Sequence, residues 1–210
     1  MNNIFVFGAS GHAKVVIDII EKQGLYKIAF LADDNVSLKG STLYGYSVVG
    51  GREELLETEI ITGIVAIGSN NARSKVASWM TENGFGLITA IHPSACVARG
   101  VTIGSNSVIM AGAIINSDCS VGSGVIINTK ASVDHDCLIG NDVHIAPGAT
   151  LCGAVTVGDG SFVCAGATII PNLTLGKYVT IGAGATVITD IVDGATAVGN
   201  PAKIIRQLLR

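Results

Sequence analysis

His135 stands between two carboxylates in the segment Val133-Asp-His-Asp-Cys137. A neutral imidazole can take a proton from an attacking nucleophile near pH 7, and a neighbouring carboxylate orients the ring and raises its basicity. Acyl transfer from a thioester to an amine or hydroxyl needs such a base, together with donors for the tetrahedral oxyanion. No serine or cysteine has a setting that marks it as an activated nucleophile, which favours direct attack over an acyl-enzyme. The alternative interpretation is an ordinary solvated histidine.

A six-residue repeat must hold this histidine. An aliphatic residue stands at every sixth position from Ile91 to Val187, over seventeen hexads without a break, and a small or apolar residue follows four places later. This period fits neither a helix nor a single alternating strand. It indicates a parallel β-helix, in which each hexad is a short strand plus a corner and three hexads close one triangular coil. The run therefore predicts between five and six coils.

Places within a hexad are counted from its aliphatic residue, which we expect to point inward. His135 is at the third place, where a side chain points outward at a corner, and His144 is at the sixth place of the next hexad. Cys119 and Cys137 are at the inward fifth place, where a thiol packs as a small hydrophobe. Glycine is common at the second place, with others one or two places later, and we expect glycine to supply backbone freedom at the corners. The second-place glycines are Gly104, Gly122, Gly140, Gly158, Gly176 and Gly182.

Composition narrows the class of protein. The 210 residues allow one or two domains, and the charged fraction of 14% and the aromatic fraction of 5% are low for a globular domain. A net charge of -3 without a Lys/Arg cluster predicts no nucleic-acid and no membrane partner. None of the five cysteines forms a C-x-x-C pair, so no metal site and no disulfide framework is indicated. No signal-peptide pattern is present, and we expect a cytoplasmic location.

Residues 1–90 follow a different pattern, in which apolar runs alternate with helix-like segments. The first run ends at Phe7 and is followed by a glycine turn and by a helix. The alternation predicts a Rossmann-like α/β domain with a small parallel sheet and right-handed crossovers. The other apolar runs are residues 28–31, 63–67 and 87–91, and the first helix is expected to present Val15, Val16, Ile19 and Ile20 on one face.

Three polar clusters follow the predicted strands of this domain. They are Gly8-Ala-Ser-Gly-His12, Asp33-Asp34 and Gly68-Ser-Asn-Asn71. In parallel sheets, ligands bind beyond the carboxyl ends of the strands and near helix N-termini, so convergence of the three clusters predicts a ligand site. Gly8-x-x-Gly11 alone is weak, because most such turns contain glycine, and ordinary turn chemistry is the alternative.

The hexads resemble those of the hexapeptide-repeat acyltransferases, whose repeats form a left-handed β-helix. The ending Val198-Gly-Asn-Pro-Ala-Lys203 also resembles the G-x-P-A-K that follows the last coil in that family. The resemblance implies an α/β domain over residues 1–90 and a left-handed parallel β-helix over residues 91–210. Residues 195–210 would cover the free end of that β-helix.

Two further stretches narrow the resemblance. Gly8-Ala-Ser-Gly-His-Ala-Lys-Val-Val16 and Asn128-Thr-x-x-Ser-Val-Asp-His-Asp-Cys-x-Ile-Gly140 together resemble the subfamily that acetylates nucleotide-linked amino sugars, which also includes bacterial sialic acid O-acetyltransferases. The resemblance implies a catalytic base at His135, its carboxylate partner at Asp136, and a residue near the reacting groups at Asn128. It implies contacts to acetyl-CoA at His144, Gly153, Ala165 and Ala183, and a nucleotide-sugar pocket formed by Ser10, Gly11, His12, Asp33, Asp34 and Gly68.

The function implied is transfer of acetyl from acetyl-CoA to the 4-amino group of a UDP-linked 4-amino-4,6-dideoxy sugar. O-acetylation of a sialic acid is a second possibility, because an amine and a hydroxyl need the same base. A non-catalytic β-helix that binds a nucleotide sugar is a third. The resemblance also implies a homotrimer with His135 of one subunit facing His144 of the next. Neither the acceptor sugar nor the nucleotide base is identified by these residues.

Overall fold

The chain divides into two compact units, one of residues Met1–Pro93 and a second that begins at Ser94. The computed structural model describes residues 1–207. The first unit has a parallel four-stranded sheet in the order β2-β1-β5-β6. Its strands are β1 Asn2–Phe7, β2 Tyr26–Ala32, β3 Thr42–Leu43, β4 Tyr46–Ser47, β5 Thr62–Val65, β6 Gly86–Leu87 and β7 Ala90–Ile91, and its helices are α1 Gly11–Gln23, the 3₁₀ turn Val36–Leu38, α2 Arg52–Leu56 and α3 Asn70–Glu82. Strands β3 and β4 form a separate antiparallel pair.

The first unit is built as its apolar runs predict, with two differences. The run 87–91 forms two short strands, β6 and β7, rather than one. On α1, Val15 is 38% exposed, whereas Ile17 is fully buried together with Val16, Ile19 and Ile20. The helix is therefore rotated relative to the predicted apolar face, and Ile17 rather than Val15 contributes to the core.

The second unit is a parallel β-helix, as the six-residue period predicts. Each strand between Cys96 and Val187 is two residues long, ends at the aliphatic first place and pairs with a strand 18 residues away, as Val133 does with Leu151. Three hexads therefore make one coil. The strands are β8 Cys96–Val97, β9 Thr102–Ile103, β10 Val108–Ile109, β11 Ile114–Ile115, β12 Ser120–Val121, β13 Ile126–Ile127, β14 Ser132–Val133, β15 Leu138–Ile139, β16 His144–Ile145, β17 Thr150–Leu151, β18 Thr156–Val157, β19 Phe162–Val163, β20 Thr168–Ile169, β21 Thr174–Leu175, β22 Thr180–Ile181, β23 Thr186–Val187, β24 Ala195–Val198 and β25 Lys203–Gln207.

These strands form three sheets, which are the faces of the β-helix. Face one contains β10, β13, β16, β19 and β22, and face two runs from β8 to β23 through β14 and β17. Face three contains β9, β12, β15, β18 and β21. At the C-terminal side, β24 pairs in parallel with β22, and β25 pairs antiparallel with β24. The last three residues of the predicted terminal cover, 208–210, lie outside the described residues.

The interior is an aliphatic stack. Every first-place residue from Ile109 to Val187 is buried, whereas Val97 in the first coil is 38% exposed. Cys119 and Cys137 are buried free thiols, as predicted for the fifth place. Ser107 and Ser161 are also buried there, and each hydroxyl donates to a carbonyl and accepts a backbone N–H. Small polar groups are tolerated in the stack because their hydrogen bonds are made.

We predicted that the second-place glycines supply backbone freedom at the corners, and this reason was wrong. Within the described residues, the left-handed conformation occurs at the fourth place, at every corner from Gly100 to Gly184, and eight of these fifteen positions carry a side chain, among them Asn106 and Asp136. The second-place glycines lack a positive φ. A Cβ on Gly158 would lie 2.6 Å from the carbonyl carbon of Gly176 in the next coil. Glycine is needed there because the coils approach closely.

Substitutions at two glycines test whether a position needs glycine for its backbone conformation or for the close approach of the coils. Gly148 has φ 66° and open space around its missing Cβ, so Gly148→Asn should cost less than about 1 kcal/mol, because asparagine tolerates this conformation. Gly158→Asn should cost about 3 kcal/mol or more, because the new side chain meets backbone that cannot move freely. Urea unfolding at equal protein concentration measures both, and equal losses would contradict the assignment.

Candidate active site

His135 lies at the corner between β14 and β15, on a turn held by the neighbouring coils. Its backbone carbonyl accepts the N–H of Ala154, and its side chain is 60% exposed. Nδ1 is 2.8 Å from Oδ2 of Asp136. When Nδ1 carries the proton for this contact, Nε2 is the nitrogen that can accept one.

Asp136 occupies the fourth place of its hexad, with φ 59°. Aspartate is among the side chains that tolerate this conformation. The turn brings its carboxylate back toward the preceding imidazole. The pair predicted as base and partner is therefore in hydrogen-bonding contact.

Asp134, the other flanking carboxylate, has a different role. Its Oδ1 accepts the backbone N–H of His135 at 2.9 Å and the side-chain amide of Asn116 at 2.8 Å. The Asn116 amide, followed by the His135 N–H, lowers the pKa of Asp134. The pKa of His135 is raised, first by its hydrogen bond to Asp136 and then by the negative charge of Asp134. Both carboxylates thus make the imidazole more basic, but only Asp136 bonds to its ring.

Gly153 lies one coil from His135 at the same place of its hexad. A Cβ on Gly153 would lie 2.7 Å from both Cε1 and Nε2 of the His135 ring. The imidazole therefore occupies the space above this glycine. The resemblance implies that Gly153 contacts acetyl-CoA. In the structure, the absence of a side chain on Gly153 also leaves room for the His135 ring.

Asn128 and His144 form a second polar cluster, beside face one. Asn128 Nδ2 is 3.0 Å from His144 Nε2, and the side-chain Oδ1 of Asn128 accepts the backbone N–H of Thr129. The His144 ring is 4.9 Å from that of Phe162. The resemblance implies separate roles for Asn128 and His144, and the structure brings their side chains together.

Ala165 and Ala183 are exposed at one corner in successive coils. The Ala165 carbonyl accepts the N–H of Gly184. Backbone groups at this corner are near the surface because the side chains are small. Such a path suits a long, flexible ligand that is bound through backbone atoms.

In the first unit, the turn after β1 meets the residues after β2. Asp33 Oδ2 accepts the N–H of Ala9 at 2.8 Å, and its Oδ1 accepts the N–H of Asn35. Asp33 thereby joins two of the three predicted clusters. Ser10 and Gly11 are exposed at the start of α1.

Asp34 borders a cavity of about 510 Å³ in the first unit. Its carboxylate pairs with Arg52 at 3.0 Å, and the Arg52 guanidinium lies 5.6 Å from the centre of the Trp79 ring. Asp33 and Gly51 also line this cavity. An aromatic face, a cation and carboxylates at one cavity can recognise a planar, polar group.

His12 is mostly buried, and it packs near Gly68, where a Cβ would lie 3.9 Å from its side chain. Its Nε2 is buried, and residues 1–207 offer it no hydrogen-bond partner. Burial lowers the pKa of His12 to about 4, with a further contribution from the charge of Arg73. This histidine is therefore neutral near pH 7. It stays neutral in mild acid, where a solvated histidine takes up a proton.

Sequence reasoning missed Arg73, the largest fully buried side chain of the first unit. Its guanidinium donates to the carbonyls of Ile67 and Gly68 and to Oδ1 of Asn70. It holds the loop after β5, which is the third predicted polar cluster. The available signal was its spacing, because Arg73 shares the buried face of α3 with Val76 and Met80.

Among residues 1–207, no three His, Cys, Asp or Glu side chains are grouped so as to hold a metal ion. No helix in this part of the chain has the length and apolar character needed to span a membrane.

Comparison with known families gives two matches. Residues 3–80 match the PglD N-terminal domain. Residues 154–189 match the bacterial transferase hexapeptide, with six repeats. Each match falls within one of the two units.

Three relatives are informative. UDP-N-acetylbacillosamine N-acetyltransferase of Bacillus subtilis (strain 168) is 36% identical over 122 residues, covering 53% of this chain and 52% of that protein. The chain thus spans about half the length of this relative. PerB from Caulobacter crescentus, solved with CoA and GDP-perosamine, is 39% identical, with a TM-score of 0.92 and 97% of each chain covered. The acetyltransferase domain of PglB from Neisseria gonorrhoeae FA1090, also solved with acetyl coenzyme A, is 38% identical, with a TM-score of 0.91 over 98% of this chain and 100% of that one.

The order of units, an α/β unit with a parallel sheet followed by a left-handed β-helix, confirms the predicted fold class. The similarity to PerB extends over both units at 39% identity. The chain belongs to the hexapeptide-repeat acetyltransferases that carry a PglD-type N-terminal domain.

Proposed function

We propose that this protein transfers acetyl from acetyl-CoA to the amino group of a nucleotide-linked amino sugar. The observation that carries the proposal is the similarity over 97% of both chains to PerB, which was solved with CoA and GDP-perosamine. The β-helix, residues 91–210, would bind acetyl-CoA, and residues 1–90 would bind the nucleotide sugar. The predicted cytoplasmic location stays a prediction.

Direct attack is the mechanism that the His135 corner supports. The neutral amine attacks the thioester carbonyl carbon, and Nε2 of His135 takes the proton that the amine loses. The tetrahedral intermediate then collapses, the C–S bond breaks, and the proton passes to the sulfur of CoA. Asp136 holds Nδ1–H throughout, which keeps the accepting nitrogen toward the substrate. Asn128 and His144 would contact the reacting groups and the acetyl donor.

Two acceptor classes compete within this proposal. The UDP-linked 4-amino-4,6-dideoxy sugar predicted above agrees with the Bacillus subtilis relative, which is named for a UDP-linked substrate. The similarity to PerB over both units favours a GDP-linked amino sugar. Release of CoA should be measured with UDP-linked and GDP-linked 4-amino sugars and with free and CMP-linked sialic acid. Release only with a sialic acid would replace N-acetylation by O-acetylation, and no release with any acceptor would favour the non-catalytic binding protein.

His135→Ala tests the assigned base. We expect kcat/KM for the amine acceptor to fall at least about a hundredfold, because a positioned general base contributes that much or more. Steady-state CoA release measures the effect, with His92→Ala as the matched control, since no site role is assigned to His92. Unchanged transfer by His135→Ala would remove the base assignment.

Asp136→Asn tests how the basicity of His135 is set. In the native protein the pKa of His135 is raised, so activity should fall, as the pH is lowered, at a higher pH than for an ordinary histidine. Asp136→Asn removes the main cause of the raised pKa, and the acid limb of kcat/KM should move to lower pH while kcat also falls. Asp159→Asn, which removes a carboxylate paired with Lys177, should leave the limb in place. A limb that did not move in Asp136→Asn would contradict this account.

We also propose that the protein is a homotrimer, with His135 of one subunit facing His144 of the next. Light scattering should give three times the chain mass of 21.4 kDa. A pair of single-site variants, His135→Ala and His144→Ala, should regain part of the activity when mixed and reassembled, because some sites then contain both histidines. A stable, active monomer would defeat the proposal.

A further inference from the structure

Asn116 contacts the carboxylate that flanks the assigned base, although the two residues are 18 positions apart. Its Nδ2 donates to Oδ1 of Asp134 at 2.8 Å. Both residues are at the second place of their hexads and at the same corner, one coil apart, and both are partly buried. The contact is therefore a rung between coils, made beside the corner that carries His135.

Asp134 is held from several directions. Its backbone N–H donates to the carbonyl of Leu151, and its carbonyl accepts the thiol of Cys119 at 2.9 Å. Its Oδ1, held by Asn116, accepts the N–H of His135. The Asn116 amide thus fixes the position of the Asp134 carboxylate, which in turn binds the backbone N–H of His135.

The chemistry of this place favours an amide. The Asn116 side-chain N–H stabilises the ionised form of Asp134 by donating to it. Hydrogen bonds to charged groups are stronger than those between neutral groups. An aspartate at position 116 would bring a like charge to the same oxygen. An alanine would leave the carboxylate free to turn toward solvent, and the backbone of His135 would lose an anchor.

We propose that Asn116 is a positioning residue for acetyl transfer, acting through Asp134 on the orientation of His135. The inference rests on the proposed function, in which His135 is the general base. Asn116 does not itself need to contact either substrate. Its effect should therefore appear in the chemical step and not in the binding of acetyl-CoA.

The test compares Asn116→Ala with Asn141→Ala. Asn141 makes a similar bond between coils, because its Oδ1 accepts the N–H of Ser123, but it lies at another corner of the β-helix. Asn116→Ala should lower kcat about tenfold, the loss expected for one hydrogen bond to a charged group, with KM for acetyl-CoA within about twofold. Asn141→Ala should keep kcat within about twofold of the native protein. Thermal unfolding of both variants shows whether their losses of stability match.

A second readout separates positioning from loss of stability. The negative charge of Asp134 contributes to the raised pKa of His135, so a carboxylate that turns away should move the acid limb of kcat to lower pH. That shift should occur in Asn116→Ala and not in Asn141→Ala. In the Asp134→Ala background, Asn116→Ala should change kcat less than twofold, because its route of action is already removed.

The outcomes are distinguishable. If His135→Ala abolishes transfer but Asn116→Ala behaves like Asn141→Ala, the positioning role is wrong and the proposed base stands. Equal losses of kcat from Asn116→Ala in the native and Asp134→Ala backgrounds would also overturn the route through Asp134. If His135→Ala transfers acetyl normally, the base assignment and the positioning role of Asn116 fail together, while the proposed acetyl transfer stands.

Discussion

Backbone hydrogen bonding between successive coils is the constraint on which the second unit depends. Each strand between Cys96 and Val187 is two residues long, and a strand of that length has no stability alone. The donors of one coil bond to the carbonyls of the next, as Asn116 N–H does to Val133. This pairing fixes a register of 18 residues, so side chains at the same place of a corner lie above one another. Asn116 and Asp134 therefore form one column. Ser117, His135 and Gly153 form another.

The register also explains how an exposed corner can hold a defined imidazole. His135 is not enclosed by a core, yet its ring contacts Asp136, its backbone N–H donates to Asp134, and its ring lies against Gly153 of the next coil. Each contact comes from the turn itself or from an adjacent coil. A rigid stack can therefore present a base to solvent-accessible substrates without burying it.

Two of the three histidines assigned to the sites have pKa values shifted in opposite directions. Hydrogen bonding to a carboxylate raises the pKa of His135, whereas burial beside Arg73 lowers that of His12 to about 4. Exposure beside acids suits a residue that must take up a proton. Burial beside a cation keeps a residue neutral, which suits recognition of a group without exchange of protons. The surroundings thus move the pKa of the same side chain in opposite directions.

The sequence by itself determined the coil fold and the His135–Asp136 pair, because the repeat is written at every sixth position and the two residues are neighbours. It also indicated which strand ends carry polar clusters. Only the tertiary structure decided that Asn116 reaches Asp134, that Gly153 seats the imidazole, and that Arg73 is buried under the loop after β5. The reason is physical: these contacts join residues of different coils or elements, and they depend on the direction in which each side chain leaves its turn. A periodic pattern specifies the place of a residue, but the three-dimensional packing specifies its neighbour.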